Sequence, residues 1–259
     1  MQKLRLITFN IAHGRGLSPY QGFHSTRYIE NILRKITKLL TEADVDIVAL
    51  QEVDEGSYWN KNINLIEVIR KETPYHHGFF GINNQRGGRK NLNYGNAFLS
   101  RYPVHSHHTQ PFSIEQIGGK GFMYAEFEVK NQRIPVINLH LDFRSKLRRK
   151  QQVDQIIAYL ENKPCDGNAL LPIICGDFNC TAQRTGDAAQ YLFDYLEREK
   201  NYSLLPDGTH TFPAHFPATA IDFIFMPHEY KILHVEVPKV YLSDHRPVLI
   251  EFANQARRE

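Results

Sequence analysis

Two kinds of hydrophobic pattern alternate along the chain and predict its main elements. Apolar runs of strand length end in polar residues at residues 4–11, 46–52 and 171–179. Apolar residues three and four positions apart predict amphipathic helices at residues 28–40, 62–71, 151–160 and 187–197. The chain therefore alternates buried strands with helices that have one apolar face.

Shorter alternating segments bounded by polar turns predict further strands. They lie at residues 75–81, 94–100, 104–109, 122–129, 133–141, 221–225, 232–237 and 247–252. The polar, basic stretch at residues 83–93 is predicted to be a loop long enough to be functional. Because hairpins are frequent and helices lie between the strands, we predict an α/β (α+β) fold with two packed, mostly antiparallel sheets flanked by helices.

Length and charge restrict the class of protein. With 259 residues and 42% apolar residues, the chain can bury one large core, and we expect a single domain over residues 1–259. The formal net charge of +3 permits an anionic substrate without requiring a polynucleotide. The basic run at residues 144–150 is interpreted as a solvated helix face in preference to a phosphate clamp.

The cysteines and the apolar runs bear on the compartment. Cys165, Cys175 and Cys180 are odd in number and lack the spacing of a zinc site, so we expect reduced thiols. No stretch has the length of a signal-peptide core or a membrane span. We expect a cytoplasmic monomer, while export by an unrecognised signal stays open.

Polar side chains recur at the ends of the apolar runs. Each of them has a structural alternative: Asp177 and Asn179, for example, would suit a strand-to-turn junction in which they bond only their own backbone. Their recurrence in distant segments instead favours a shared pocket. The set comprises Asn10, Glu52, His140, Asp177, Asn179, Asp222, Asp244 and His245.

This set suits the hydrolysis of a phosphoester. That reaction requires a hard cation, an activated water molecule and donors for the phosphoryl oxygens. Carboxylates and carboxamides with few nitrogen ligands favour Mg²⁺ or Mn²⁺ over zinc.

Six short segments together resemble the signature blocks of the endonuclease/exonuclease/phosphatase superfamily, in the same order. They are residues 8–10, 50–52, 138–141, 175–179, 221–224 and 243–245, and residues 94–101 resemble the family's central sheet segment. The resemblance covers nearly the whole chain. It implies a four-layer α/β-sandwich, with metal-dependent cleavage of a phosphoester by direct attack of water at one end of the two sheets.

The resemblance also implies a role for each residue. Glu52 is expected to be the principal metal ligand, with Asn10 and Asp244 assisting at the metal. Asp177 and Asn179 are expected to orient the nucleophilic water and the phosphate.

Two histidines complete the expected site. His140 would donate to a phosphoryl oxygen, and His245 with Asp222 resembles the family's His–Asp couple near the scissile phosphate. In such a couple, a carboxylate fixes the tautomer of the imidazole and favours its protonated form. Whether Asp177 or the couple is the general base stays open, as does the number of metals.

The segment at residues 138–141 resembles the histidine-bearing branch that includes deoxyribonuclease-like, sphingomyelinase-like and inositol-phosphatase-like members. Residues 217–220 lack the basic residue expected there in many relatives. We expect a phosphodiesterase or phosphatase acting on a small or lipid-like phosphoester. A DNA or RNA endonuclease is the alternative within enzymes, and a catalytically silent binding module is the alternative outside them.

Overall fold

The structure is a computed structural model that describes residues 2–113, 117–130, 132–162, 170–183 and 185–254. The described residues form twelve strands and four α-helices, numbered in chain order. The first sheet contains β1 (Lys3–Asn10), β2 (Ile47–Asp54), β3 (His77–Arg86), β4 (Leu92–Ser100), β11 (Tyr230–Glu236) and β12 (Val248–Asn254). The second contains β5 (Val104–Pro111), β6 (Gly121–Val129), β7 (Gln132–His140), β8 (Ile173–Asp177), β9 (Tyr202–Leu205) and β10 (Asp222–Pro227).

Both sheets have six strands and are predominantly antiparallel. The strand orders are β11-β12-β1-β2-β4-β3 and β5-β6-β7-β8-β10-β9. One adjacent pair in each sheet is parallel, namely β1 with β2 and β7 with β8. The prediction of two mostly antiparallel sheets is confirmed.

The helices cover the outer faces of the two sheets. On the first sheet, α1 (Thr26–Glu42) and α2 (Leu65–Lys71) pack against apolar residues of β1 and β2. On the second sheet, α3 (Lys146–Asn162) and α4 (Ala188–Lys200) pack against β7, β8 and β10. A third apolar cluster fills the space between the sheets. The order helix, sheet, sheet, helix confirms the four-layer sandwich.

Alternation along β1 shows how the sequence builds these layers. Leu4 and Leu6 contribute to the cluster between the sheets, whereas Ile7 and Phe9 contribute to the cluster under the helices. Successive side chains of a strand point to opposite faces, so a strand covered on both faces supplies apolar residues to both layers.

The predicted elements differ from the structure in a loop, a missed strand and the start of a helix. The stretch at 83–93 is mostly strand, because β3 continues to Arg86 and pairs there with Leu92 of β4. As an edge strand, β3 tolerates the polar residues that made this stretch resemble a loop. The strand β9 was not predicted, and α3 begins at Lys146 rather than residue 151.

The interpretation of residues 144–150 as solvated was wrong for Arg149. This side chain is buried, and its Nε and Nη2 atoms donate to the two carboxylate oxygens of Asp187 at 3.0 and 2.7 Å. Asp187 in turn caps α4 by accepting from the amide of Ala188. The basic run therefore connects the two helices of the second outer layer.

Cys175 and Cys180 are buried free thiols, and Cys165 lies outside the described residues. Among the described residues, no helix is both long and apolar enough to cross a membrane.

Candidate active site

The two parallel strand pairs bring the predicted residues to one edge of the sandwich. Asn10 lies beside Gln51 at the end of β1 and β2, and His140 lies beside Asp177 at the end of β7 and β8. Parallel neighbours end at the same edge of a sheet, so each pair delivers two polar residues together. The Asn10 Nδ2 atom donates to Asp177 Oδ2 at 2.9 Å, which joins the two sheets across the site.

Gly176 sets the direction of the chain immediately before Asp177. Its φ angle is +142°, and a Cβ atom placed there would lie 1.9 Å from the carbonyl oxygen of Leu139. Only glycine avoids this overlap with the neighbouring strand. The glycine in the motif is therefore required by the close approach of β7 to β8.

Asp177 is buried at the centre of the site. Its Oδ1 accepts from the amide of Asn179 at 2.9 Å, and its Oδ2 lies 3.3 Å from His140 Nε2 and 3.8 Å from His245 Nε2. Burial opposes the charge of this carboxyl, but His245 and His140 outweigh it and hold the pKa of Asp177 well below its usual range. Asp177 is therefore a carboxylate at neutral pH.

Asn179 reaches the site through a turn rather than through the strand. The strand β8 ends at Asp177, and Asn179 has a left-handed φ of 51°. Its Nδ2 donates to the carbonyl of Leu141 at 2.9 Å. The Asp–Asn turn was weighed as a purely structural feature, and the structure shows that its Asp177 also faces the other site residues.

Glu52 lies where the pairing of β2 with β4 is irregular. The register shifts between Leu50 and Val53, and Glu52 has a positive φ of 54°. Such an irregularity redirects a side chain relative to the regular strand. The carboxylate lies 3.4 Å from His13 Nε2 and 3.6 Å from Lys120 Nζ.

The environment of Glu52 keeps it ionised. Burial raises its pKa, but the charges of His13 and Lys120 lower it far below the usual range. The side chain is 20% exposed, so it is accessible from the mouth of the site.

His13 was not among the predicted site residues. Its Nδ1 lies 2.7 Å from Asp54 Oδ2, and Asp54 also accepts from Trp59 Nε1 and Asn60 Nδ2 at 2.7 Å each. Burial lowers the pKa of His13, whereas Asp54 and Glu52 raise it, and the net direction is upward. This buried network places the imidazole against Glu52 and favours its protonated form.

Lys120 is the second residue that was not predicted. It is only 8% exposed, and its Nζ lies 2.7 Å from His140 Nε2. Burial, followed by the charge of Lys120, lowers the pKa of His140. The site thus contains an ammonium group between Glu52 and a neutral His140.

The predicted couple of His245 and Asp222 is in contact. Nδ1 of His245 lies 3.0 Å from Asp222 Oδ2, and the ring packs on Phe212 with centroids 4.9 Å apart. Burial lowers the pKa of His245, but Asp222 and Asp177 raise it to about 10. Burial and the neighbouring Asp177 raise the pKa of Asp222 overall, although the contact with His245 lowers it. Because two carboxylates surround one imidazole, we assign the shared proton to His245.

Asp244 lies at the side of the site. Its Oδ2 accepts from Arg15 Nη2 at 2.6 Å, and its Oδ1 accepts from Ser243 Oγ at 3.3 Å. The structure thus ties Asp244 to the loop that follows β1. This ion pair would have to rearrange before Asp244 could assist at a metal.

A comparison with family models decides the relationship. The model described as the endonuclease/exonuclease/phosphatase family matches residues 7–245. The chain belongs to this family. Members of the endonuclease/exonuclease/phosphatase family are hydrolases that act on phosphoesters.

Individual comparisons agree in extent, and the solved structures also agree in fold. The uncharacterized protein YbhP of Escherichia coli K12 is 25% identical over 232 residues, covering 85% of this chain and 88% of YbhP. A mannosyl-6-phosphatase of Bacteroides thetaiotaomicron has a TM-score of 0.73 at 14% identity, covering 96% of this chain and 99% of that chain. Sphingomyelinase C of Streptomyces griseocarneus has a TM-score of 0.63 at 17% identity, covering 98% and 100%.

The donor atoms of this family member fit a divalent cation. The pKa values of Glu52 and Asp177 are both lowered, so both are ionised carboxylates. Metal ligands of this kind must be deprotonated. In addition, Asp177, Asp222 and His245 each offer a ligand atom within 4.8 Å of the others. Hard oxygen donors dominate both groups, although the contact between His245 and Asp222 already uses part of the second group.

Proposed function

We propose that this protein is a divalent-metal-dependent phosphoester hydrolase that acts by attack of water on phosphorus. The observation that carries the proposal is the position of the buried Asp177 carboxylate between His140, His245 and Asn10. These three residues come from different strands or loops of both sheets. Such convergence on one carboxylate suits a reacting centre better than a structural hydrogen-bond network.

Asp177 is proposed to orient the nucleophilic water and accept its proton. Its lowered pKa keeps it in the acceptor form. The raised pKa of His245 gives this residue the opposite role, since a protonated imidazole donates to phosphoryl oxygens and does not accept a proton. The pH at which activity falls on the alkaline side then reports loss of the His245 proton.

Lys120, His140 and Asn179 are proposed to position the phosphoryl group. The Nζ atom of Lys120 lies beside both His140 and Glu52, and a phosphate oxygen would replace Glu52 as its partner. Charged donors of this kind stabilise the negative charge that develops in the transition state.

Glu52 is proposed to hold Mg²⁺ or Mn²⁺, with Asn10 and Asp244 assisting. The cation, when bound, supplies a Lewis acid for the phosphoryl oxygens. The Asn10 side chain already donates to Asp177. Asn10, as an assisting residue of the metal site, therefore lies directly beside the water-orienting carboxylate.

The substrate is proposed to be a small or lipid-like phosphoester. The net charge of +3 gives weaker attraction to a polynucleotide than a dedicated nucleic-acid-binding surface provides. Solved structures of this fold include one named as a mannosyl-6-phosphatase and one named as a sphingomyelinase C.

The test measures hydrolysis of bis(p-nitrophenyl) phosphate and plasmid DNA with Mg²⁺ or Mn²⁺, and again with EDTA. We expect metal-dependent hydrolysis of the diester, and a loss of about 100-fold or more in Glu52→Gln and His245→Asn. Glu42→Gln, which changes an exposed carboxylate on α1, is the matched control and should retain full activity. Absence of hydrolysis in the unaltered protein, or full activity in both site variants, would contradict the proposal. Rapid nicking of the plasmid without diester hydrolysis would assign a nuclease instead.

A further inference from the structure

Exposed apolar side chains concentrate around the candidate active site. Of twelve exposed large hydrophobic residues in the described ranges, nine lie outside the strands and α1, either in the segments that connect these elements or in the first turn of α3. The two most exposed are Phe23 at 85% and Phe216 at 78%. Leu17, Tyr20, Phe143 and Tyr241 belong to the same set.

The loops that carry these side chains are joined on one side of the site. Lys61 Nζ donates to the carbonyl of Gly22, which connects the segment after β2 to the loop holding Tyr20 and Phe23. Arg15 of that loop pairs with Asp244 at 2.6 Å. The Ala214 amide donates to the Asp244 carbonyl at 2.7 Å, which adds the loop holding Phe216.

Contacts on the other side of the site connect further segments to these loops. The amide of Leu141 donates to the carbonyl of Asp177, so the segment holding Phe143 begins at the site itself. Lys120 contacts His140 and follows the segment that holds Ile117. The rings of Tyr94 and Trp59 lie 5.3 Å apart, and the Gly118 amide donates to the Tyr94 hydroxyl. We call this set of loops the apolar rim.

Basic side chains accompany the apolar ones on the rim. Arg144, Lys146 and Arg148 are exposed and lie between or beside Phe143 and Leu147. The guanidinium of Arg144 lies 4.8 Å from the centroid of the Phe143 ring. Exposed aromatic and aliphatic tips next to Lys and Arg suit the boundary between lipid headgroups and acyl chains.

We propose that the apolar rim seats the candidate active site on the surface of an anionic phospholipid bilayer. This inference rests on the proposed function and deepens it, because the site mouth would then face headgroup phosphoesters and the substrate class would be phospholipid. The aromatic residues enter the interface and the basic residues bind anionic headgroups, so the two sets act together. A single-stranded nucleic acid would also stack on aromatic side chains, but it requires a continuous basic groove, and the net charge is only +3.

Co-sedimentation with vesicles tests the rim separately from catalysis. The protein is mixed in EDTA, and again in Mg²⁺, with vesicles of phosphatidylcholine alone or of phosphatidylcholine and phosphatidylglycerol in equal amounts. We expect binding to the mixed vesicles, weakened about tenfold by each of Phe143→Ser and Phe216→Ser and about fivefold by Arg144→Gln. Leu233→Ser, at an exposed apolar position on β11, is the matched control and should bind normally.

Two further measurements separate this inference from the proposed function. Hydrolysis of soluble bis(p-nitrophenyl) phosphate should be unchanged in the Phe143 and Phe216 variants, while hydrolysis of phospholipid in vesicles should fall with binding. The rim proposal is overturned, and the hydrolase proposal survives, if the diester is hydrolysed but the protein does not bind mixed vesicles. The same conclusion follows if the diester is hydrolysed and the protein carrying both Phe143→Ser and Phe216→Ser binds the vesicles as well as the unaltered protein. Vesicle binding without any hydrolysis supports the rim and removes the hydrolase.

Other occupants of the rim have distinct signatures. A different outcome is that the unaltered protein dimerises with increasing concentration and binds no vesicles. If this dimerisation is lost when Phe143→Ser and Phe216→Ser are combined, the rim binds a second copy and the proposal is overturned. Tight binding of a single-stranded oligonucleotide through the same residues, with no vesicle binding, would overturn it in favour of nucleic acid.

Discussion

The Asp222→Asn substitution tests the charge assignment on which the proposed chemistry depends. Asp222 makes the largest favourable contribution to the raised pKa of His245, and Asp177 follows it. Replacing the carboxylate with an amide removes the closer negative charge and keeps the shape of the side chain. His245 then retains Asp177, at 3.8 Å, and the weaker influence of Asp244.

The size of the effect follows from the geometry of the pair. An opposite charge within hydrogen-bond distance of a buried group shifts its pKa by about 1 to 3, so Asp222→Asn should lower the pKa of His245 by about that amount. This corresponds to about 1.4 to 4 kcal/mol of interaction between the imidazolium and the carboxylate. In the pH profile of the metal-loaded enzyme, activity should begin to fall on the alkaline side at a correspondingly lower pH.

Stability gives a second readout with a defined sign. Because folding raises the pKa of His245 from 6.5 to about 10, protonation of this residue stabilises the folded protein fully below pH 6.5. This contribution is lost as the pH rises through about 10. Denaturant unfolding of the metal-free protein at a series of pH values should therefore show a smaller loss of free energy in Asp222→Asn than in the unaltered protein.

Other groups also titrate in this alkaline range, so the difference between the two proteins is the measurement. Asp207→Asn, at an exposed loop position, controls for the removal of a carboxylate elsewhere. Equal pH dependence of unfolding in Asp222→Asn and the unaltered protein, with an unshifted activity profile, would refute the assignment of the proton to His245.

Three other substitutions test separate parts of the site. Lys120→Met should lower kcat on a phosphodiester by about 10- to 1000-fold, because it removes a buried donor, and an unchanged kcat would exclude Lys120 from the reaction. Gly176→Ala should lower the melting temperature by about 5 to 15 °C, because the added Cβ would overlap the Leu139 carbonyl oxygen. Gly87→Ala, in open space, is the control and should leave the melting temperature unchanged. Equal melting curves for the two variants would contradict the close approach of Leu139 to Gly176. Glu52→Gln should weaken Mn²⁺ binding measured by calorimetry at least tenfold, and unaltered affinity would place the metal elsewhere.

The sequence predicts the layers well because burial imposes a simple pattern. Strands such as β2 and β8 are covered on both faces, so the continuous apolar runs at residues 47–50 and 173–175 are visible without any knowledge of the fold. Edge strands obey a weaker rule. The polar β3 and the short β9 owe their conformation to pairing with β4 and β10, and such partners cannot be identified from local composition.

The site is only partly predictable for a related reason. Asn10, Glu52 and Asp177 follow apolar runs, which marks them as strand ends. Lys120 precedes β6 and carries no such mark, because only the tertiary structure shows that it is buried beside His140. His13 has the same difficulty: its glycine-bearing loop is visible in the sequence, but the contact with Asp54 joins two different segments.

The position of the site follows from the two exceptions in an otherwise antiparallel fold. Each sheet has one parallel pair, and a parallel pair requires a crossover, which α1 supplies between β1 and β2 and α3 supplies between β7 and β8. The crossovers place helices on the two outer faces, so the inner faces of both sheets are free to pack on each other.

The inner residues then fix the separation of the reacting groups. Behind the site, Gln51 donates to Asn138 Oδ1 at 2.7 Å, and Asn138 donates to the carbonyls of Leu50 and Ala97. These buried polar contacts cross from one sheet to the other and resist sliding, because any shift would leave unpaired polar groups in the core. The distance between Glu52 on one sheet and Asp177 on the other is thus set by the packing of two rigid layers. A site built in this way can change its substrate through the loops of the apolar rim while its reacting groups stay in place.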